Sequence, residues 1–202
     1  MNRKIITTIL IVLVSATGWA QKLKMNEPSF SDYMPMLQWQ GYEVYSFDIR
    51  KLKGKKVRPC FMEYVDGKGT EEDLGYISHY PPFEIKGKTL IIGFMPNGND
   101  SVGKVFFSLE KAMSFSITRK LKPVFNVKQN KNEYLYGTRP FELQKIRKDE
   151  FVPLVLYGSH WYDEKFGITR FCGANYIKPD MSSDILKDSP HYSVIGIKVA
   201  DK

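Results

Sequence analysis

The feature that most constrains this fold is a two-residue alternation of apolar and polar side chains, repeated in short segments along the chain. Residues 45–49 are an example, because Tyr45, Phe47 and Ile49 alternate with a serine and an aspartate. Such alternation is typical of a strand with one buried face. Turn residues such as Asp66-Gly67 separate the segments. The strands predicted in this way are 45–49, 57–65, 89–95, 104–109, 113–118, 124–127, 134–136, 141–146, 152–157, 167–172 and 191–199.

Many short strands at close spacing predict an all-β fold, a two-sheet β-sandwich of jelly-roll-like type. A closed β-barrel is the alternative. Residues 152–157 and 193–199 are apolar on both faces, as expected of central strands between two covered layers, and this favours the sandwich. Helix is minimal in this prediction, and the one segment with a start signal is 182–187, where Ser182 or Ser183 would cap the first turn.

The beginning of the chain has the pattern of a secretory signal peptide. Two basic residues, Arg3 and Lys4, precede an apolar run at 5–14, and small side chains lead to Ala20 and Gln21. We therefore expect residues 1–20 to be removed by cleavage between Ala20 and Gln21. The apolar run is far shorter than the ~20 residues that cross a bilayer. The predicted product is an exported protein of the periplasm or cell surface, without a membrane span after cleavage.

The remaining chain is expected to form one domain. Residues 21–40 contain Pro28 and Pro35 with little periodicity, which predicts an extended lead-in. Residues 41–202 contain no internal repeat and no linker, and a segment of this length can bury a core of its own. The prediction is a single sandwich domain over 41–202.

Two cysteines, Cys60 and Cys172, are the only ones in the chain. Export to an oxidising compartment permits a disulfide between them. The alternative is that each thiol is a small buried apolar group, since each lies in an apolar strand pattern and free cysteine is among the most buried residue types. Nothing nearby in sequence would activate either thiol as a nucleophile.

The richest segment for chemistry is 156–167, which brings Ser159, His160 and Asp163 together between two predicted strands. A hydrolase hypothesis would make them nucleophile, base and orienting acid. Adjacent residues on a strand point to opposite faces, however, and the segment lacks the Gly-x-Ser-x-Gly pattern of a nucleophile elbow. We favour a hairpin with a solvated Asp163-Glu164-Lys165 tip, and therefore expect no catalytic residue and no enzyme activity.

Metal and cofactor sites are not predicted either. The three histidines, His79, His160 and His191, are isolated, without the spacing of a zinc site. The sequence also contains no phosphate-binding loop and no dinucleotide fingerprint. The expectation is a protein with neither a bound metal nor a cofactor.

Positive charge exceeds negative charge, with 30 Lys and Arg against 22 Asp and Glu. The lysines gather at predicted turns, especially at 51–56, and could attract phosphates or acidic glycans. Lysines at such positions also keep strand edges from pairing with other chains, and this second role is the one we favour. Nucleic acid is not an expected partner of an exported protein.

Aromatic residues make up 14% of the chain and crowd two regions, one before residue 48 and one at 157–176. Flat rings with polar edges stack on sugar faces and concentrate at recognition surfaces. Trp161 lies at a predicted loop and, with Tyr162 and His160, is the predicted set of glycan contacts. Most of the other rings are needed for the core.

Two stretches, 152–163 and 191–198, together with the Ala20-Gln21 junction, resemble small exported Bacteroidetes proteins that carry a domain of unknown function. The resemblance covers the C-terminal third and the signal peptide. It implies an envelope location and brings no site residue with it. Within that group, Asp100-Ser101-Val102 would fit a short O-glycosylation pattern on Ser101.

The sequence therefore predicts an exported, non-catalytic binding or envelope-associated protein, with glycan or an envelope protein as its partner. Two other functions stay open at this point. One is a secreted hydrolase with an unidentified site. The other is a structural or assembly protein that recruits a partner through an open sheet edge.

Overall fold

The computed structural model describes residues 24–95, 98 and 100–200. The predicted signal peptide and its cleavage pair, Ala20 and Gln21, lie outside these residues. The chain divides into two compact units, one up to Pro35 and one from Met36 onward. No helix in the described part is both long and apolar enough to cross a membrane.

Strands dominate the second unit. In chain order they are β1 (Glu43–Asp48), β2 (Lys56–Val65), β3 (Lys68–Glu71), β4 (Phe83–Glu84), β5 (Thr89–Met95), β6 (Val102–Leu109), β7 (Met113–Lys120), β8 (Val124–Asn126), β9 (Lys131–Glu133), β10 (Tyr136–Pro140), β11 (Phe151–Ser159), β12 (Trp161–Asp163), β13 (Ile168–Arg170) and β14 (His191–Ala200). Among the described residues, the helices are α1 (Phe30–Trp39), α2 (Tyr76–His79) and α3 (Ile185–Asp188), and a 3₁₀ turn lies at Arg50–Leu52.

The strands form two main antiparallel sheets. A four-stranded sheet has the order β1-β5-β6-β7, and a six-stranded sheet has the order β10-β11-β14-β2-β3 with β4 beside β2. Two separate hairpins, β8–β9 and β12–β13, complete the set. None of the sheets formed by the described residues closes on itself, so the all-β sandwich prediction is confirmed.

The inter-sheet core lies between the two main sheets. Alternate residues of each strand point into it, as Leu90, Ile92 and Phe94 do on β5. From the six-stranded sheet, Ile195 and Ile197 of β14 meet them. Burial of these apolar side chains, at about 25 cal/mol per Å² of surface, is the main force that holds the sheets together.

A second cluster, the outer core, covers the other face of the six-stranded sheet. Leu156 and Val194 point away from the four-stranded sheet and pack against Phe141, Ile177 and residues of α3. The segment between β12 and β14 therefore lies over this face. This second cover explains why β11 and β14 are apolar on both faces.

Strand β11 contains a proline in the middle of a sheet. The register of β11 against β14 shifts between Pro153 and Val155, which is a β-bulge. Proline has no N–H for the ladder, and a bulge is one of the few places where a sheet tolerates it. Opposite the bulge, Gly196 lies so close to β11 that a Cβ there would be 2.2 Å from the Val152 carbonyl oxygen.

The lead-in is not extended over its whole length, because residues Phe30–Trp39 form helix α1. The Asp32 carboxylate accepts hydrogen bonds from the backbone N–H and the hydroxyl of Ser29, at 2.6 and 2.8 Å. An acidic residue three positions after a serine cap is a capping box, which satisfies free N–H groups at the helix start. The sequence prediction followed the prolines and missed this start signal.

Two predicted strands differ from the structure. Residues 141–146 form no strand; Phe141 makes only an isolated bridge to Ile177 and is buried in the outer core. The strand predicted at 134–136 begins instead at Tyr136 and continues to Pro140. The helix predicted at 182–187 is present one turn later as α3, without a side-chain cap at its first turn.

The two cysteines are free thiols. Cys60 is buried on β2, and its thiol donates a 3.3 Å hydrogen bond to the Glu71 carboxylate. Burial raises the pKa of Cys60 to about 12. Cys172 is exposed after β13. The disulfide considered from the sequence is thus not formed in this structure, and of the two thiols Cys60 alone matches the buried alternative.

Candidate functional site

A cleft of about 510 Å³ opens where the edges of the two main sheets meet. Strand β1 is an edge of the four-stranded sheet and β10 is an edge of the six-stranded sheet. A 2.8 Å hydrogen bond between the hydroxyls of Tyr45 and Thr138 joins these edges. The cleft is lined by Gln40, Gly41, Glu43, Phe94, Met95, Gly98, Asp100, Val102, Gly103, Leu121, Tyr134, Leu135, Tyr136, Gly137, Thr138 and Tyr157.

Aromatic rings form one wall of this cleft. The rings of Tyr136 and Tyr157 lie 5.0 Å apart at an angle of 43°, and the ring of Phe94 lies 4.9 Å from that of Tyr157. These tilted contacts are within the favourable range for aromatic pairs. The strands supply them directly, because β5, β10 and β11 each point one ring toward the gap between the sheets.

The hydroxyl of Tyr157 is a polar group of the cleft that the fold leaves open. No described residue makes a hydrogen bond with it. A Cβ at position 103 would lie 2.5 Å from this oxygen, so Gly103 is the residue that makes room for it. Burial raises the pKa of Tyr157 to about 12, so the group is a neutral hydroxyl that can donate and accept a hydrogen bond.

Acidic and amide groups complete the lining. Glu43 is half-buried and Asp100 is exposed, and Gln40 lies beside them. The described lining contains no lysine or arginine. In a chain with a formal net charge of +8, the cleft therefore offers carboxylate, amide and hydroxyl groups beside aromatic rings.

Behind the cleft, the hydroxyl of Tyr136 is fully used by the protein. It contacts Nδ1 of His191 and accepts a 3.0 Å hydrogen bond from the backbone N–H of Lys122. Nε2 of His191 lies 2.8 Å from the Glu63 carboxylate. Tyr136 thus presents only its ring to the cleft, and the phenol is unavailable to a ligand.

The same contacts continue into an inter-sheet ion cluster formed by Arg119, Glu63, Glu72, His191 and Ser193. Arg119, on β7, forms an ion pair with Glu72 and lies 3.8 Å from Glu63. The Ser193 hydroxyl donates a 3.3 Å hydrogen bond to Glu72. Each charged member has a partner of opposite charge or a hydrogen bond, as buried ions require.

Burial and pairing shift the pKa values in this cluster. Burial is the largest single effect on His191 and lowers its pKa, while the hydrogen bond to Glu63 and the charge of Glu63 act in the opposite direction. The hydrogen bond from His191 lowers the pKa of Glu63. Burial also raises the pKa of Tyr136. These directions describe a neutral imidazole and phenol beside an ionised carboxylate.

The predicted glycan contacts lie elsewhere, with Trp161 and Tyr162 on the β12–β13 hairpin and His160 just before it. Trp161 is half-buried and packs against the outer core, with its ring 6.4 Å from that of Phe171. Tyr162 follows on the same strand and is also half-buried. None of the predicted contacts lines the cleft.

His160 belongs to a stack rather than to an open site. Its ring lies 5.2 Å from that of Phe171 at an angle of 11°, and the guanidinium of Arg139 lies 4.9 Å from the Phe171 centroid. Burial lowers the pKa of His160, and the charge of Arg139 adds to this effect. The imidazole therefore acts in packing, as a neutral planar group.

Ser159, His160 and Asp163 are not brought together. Ser159 is only 1% exposed, and its hydroxyl accepts a 3.2 Å hydrogen bond from the backbone N–H of His191. Asp163 forms an ion pair with Arg170 across the hairpin. The described residues also contain no group of three or more His, Cys, Asp or Glu side chains that could hold a metal ion.

Ser101 lies at the turn before β6, between the cleft residues Asp100 and Val102. Its carbonyl accepts a 2.8 Å hydrogen bond from the Leu121 N–H. A sugar attached to Ser101 would stand at the rim of the cleft, and its attachment stays a prediction.

Sequence reasoning missed the cleft because its members come from separate segments. In the sequence, Tyr157 is one of many aromatic residues at 157–176, and no local pattern distinguishes a ring that lines a cleft from a ring of the core. Gly103 was the available signal, because a glycine inside an alternating strand marks a close approach of another group.

Comparisons with known proteins give one finding about relationship. Residues 83–201 match the family described as Domain of unknown function (DUF5041). This range covers more than half of the chain and includes strands β4–β14. Searches of the curated proteins and of the solved structures returned no match.

Proposed function

We propose that this chain, which belongs to the DUF5041 family, is an exported, non-catalytic binding protein that holds a glycan in the cleft between β1 and β10. The site differs from the one expected from the sequence, since the cleft replaces Trp161, Tyr162 and His160. The proposed ligand is still a glycan, as expected from the sequence.

The observation that carries the proposal is the Tyr157 hydroxyl, which faces the cleft without a hydrogen-bond partner among the described residues. Among the described residues, the fully buried polar side-chain atoms without a partner are Arg139 Nε and Arg170 Nε, and the Tyr157 hydroxyl is instead open to water or to a ligand. A half-buried hydroxyl that the fold leaves open, in a cavity of ligand size, supports a role in binding. A ligand hydroxyl would complete its hydrogen bonding.

Three further features favour a sugar as the ligand. The rings of Tyr136 and Tyr157 offer flat apolar surfaces for the faces of a pyranose. Glu43 and Gln40 offer acceptors and donors for its hydroxyls. The volume of about 510 Å³ lies in the usual range for small-molecule sites.

The absence of catalysis is part of the proposal. The lining carries the carboxylates of Glu43 and Asp100, the kind of group that a glycosidase uses, and in this proposal they accept hydrogen bonds from sugar hydroxyls and transfer no proton. We expect a bound oligosaccharide to be recovered unchanged after long incubation with the protein.

The test is a glycan panel followed by calorimetry on wild type and Tyr157→Phe. This change keeps the ring and removes the hydroxyl, so affinity should fall roughly threefold to tenfold, the effect of one hydrogen bond. Tyr192→Phe is the matched control. Tyr192 stacks on Tyr64 at 4.7 Å in the outer core, and its change should leave affinity as in wild type.

Two results would contradict the proposal. One is a folded wild-type protein that binds no member of a panel of neutral, acidic and amino sugars. The other is a glycan that binds with equal affinity to wild type and Tyr157→Phe while Trp161→Phe weakens it, which would return the site to the β12–β13 hairpin.

A further inference from the structure

The longest open edge in the described part of the chain is β7, an eight-residue strand at the end of the four-stranded sheet. It pairs with β6 alone. On the edge of β7 that points away from β6, no other described residue makes a backbone hydrogen bond. The N–H and C=O groups that point away from β6 are therefore free to pair with a further strand.

Natural proteins usually protect such an edge with prolines, charges, bulges or a covering segment. Strand β7 reads Met-Ser-Phe-Ser-Ile-Thr-Arg-Lys and contains no proline or glycine. Its register against β6 is regular over all eight residues. Its charges are confined to one end, and Arg119 is already paired with Glu72 inside the sandwich.

The other edges are less open. Strand β1 is joined to β10 by the bond between Tyr45 and Thr138. Strand β10 ends in Pro140, which has no N–H, and β3 has only four residues. An added strand therefore has one long unprotected place to pair, on β7.

We propose that β7 pairs with β7 of a second copy of this chain, antiparallel and about a two-fold axis that places Ser116 opposite Ser116. This register sets Phe115 opposite Ile117 on the inner face and Ser114 opposite Thr118 on the outer face. The two four-stranded sheets would then form one continuous eight-stranded sheet. The inference is independent of the cleft and of its ligand.

The second copy is the occupant that fits the pattern of this edge. Phe115 and Ile117 are only half-buried at the open side of the inter-sheet core, and each would be covered by the other in the partner. Lys120 would face the small Ala112, so like charges do not oppose each other across the axis. Self-complementary pairing of this kind closes as a dimer, the commonest assembly of soluble proteins.

A single edge buries less surface than the 1,200–2,000 Å² typical of stable complexes. The expected assembly is therefore a reversible dimer, seen as an apparent mass that rises with protein concentration. The backbone bonds would define its register, and the Phe115–Ile117 contacts would add apolar burial.

The test is sedimentation velocity over a concentration series on wild type, Ser116→Lys and Ser116→Glu. Each variant places like charges opposite each other across the axis, so each alone should be monomeric. An equimolar mixture of the two should dimerise again. Ser46→Lys, on the outer face of β1, is the matched control and should dimerise like wild type.

Every outcome decides the proposal. Circular dichroism first establishes that both Ser116 variants keep the strand content of wild type. A wild-type chain that is monomeric at every concentration overturns the proposal, as does a dimer that persists in Ser116→Lys. Two monomeric variants whose mixture stays monomeric also overturn the two-fold register.

Discussion

The position of Trp161 in the fold predicts that its substitution changes stability, whereas its chemical type alone suggested a role in glycan binding. Its ring packs against the outer core and near Phe171, at the point where the β12–β13 hairpin meets the six-stranded sheet. Trp161→Ala should lower the free energy of unfolding by about 2–3 kcal/mol, less than the 3–5 kcal/mol typical of fully buried tryptophan. Urea unfolding followed by circular dichroism measures this change.

Trp161→Phe is the comparison for that prediction, because it keeps a ring against Phe171 and should cost about half as much or less. The stability loss should come without a loss of glycan affinity. If Trp161→Ala unfolds like wild type, the ring contributes no packing energy and the hairpin is free to serve as a recognition surface.

In strands β11 and β14, one proline and one glycine determine how closely the two strands can pack. Pro153 is accommodated by the bulge in β11, and Gly196 of β14 lies against the bulged strand with the Val152 carbonyl 2.2 Å from its ideal Cβ position. Gly196→Ala must push β11 and β14 apart in the centre of the six-stranded sheet. We expect a loss of at least about 2–3 kcal/mol in the free energy of unfolding, as for overpacked core positions.

Gly98→Ala is the matched control, since a Cβ at position 98 meets nothing within 4 Å. Its unfolding midpoint in urea should stay within experimental error of wild type. Equal midpoints for Gly196→Ala and wild type would show that the two strands can separate at this position without loss of pairing.

Elements with strong alternation were predictable from the sequence. Strand β5 coincides with the predicted 89–95, and β11 and β14 were recognised as central strands because both of their faces are apolar. The strand prediction for residues 141–146 was wrong because Phe141 is buried against α3 and Ile177 rather than against a neighbouring strand. Apolar residues alone do not distinguish these two kinds of burial.

The candidate site was less predictable than the fold. Its aromatic wall needs Phe94, Tyr136 and Tyr157, which meet because β5, β10 and β11 face the same gap. Sequence patterns predict which residues of a strand share a face, and they do not predict which edges of two sheets lie together. The residues that are close in sequence at 159–163 have separate surroundings in the fold. Ser159 is buried and hydrogen-bonded to His191, Trp161 packs against the outer core, and Asp163 pairs with Arg170.

At the scale of the whole molecule, the inter-sheet ion cluster ties the two sheets together beside the cleft. Arg119 comes from the four-stranded sheet, while Glu63 and His191 come from the six-stranded sheet. The Tyr136 hydroxyl contacts the same imidazole and accepts a hydrogen bond from the backbone N–H of Lys122. A change of protonation at His191 therefore acts where the layers meet.

The cluster predicts a direction for the dependence of stability on pH. The pKa of His191 is lowered mainly by burial, so the folded chain resists a proton that the unfolded chain takes up near pH 6.5. The pKa of His160 is lowered in the same way. The contribution of both groups is complete above about pH 6.5 and is lost as pH falls through their folded pKa values.

Urea unfolding at pH 8, 7, 6 and 5 should therefore give a free energy of unfolding that is flat at the upper end and falls below about pH 6.5. Glu63, whose pKa is lowered by the hydrogen bond from His191, extends the loss to lower pH. The chain with His191→Gln should be less stable than wild type at pH 8, because Glu63 and Tyr136 lose a partner, but its stability should fall less between pH 7 and 5. If wild type gains stability over that interval, the imidazole is charged in the folded protein, and the layers are joined by an ion pair at His191 instead of a neutral hydrogen-bonded ring.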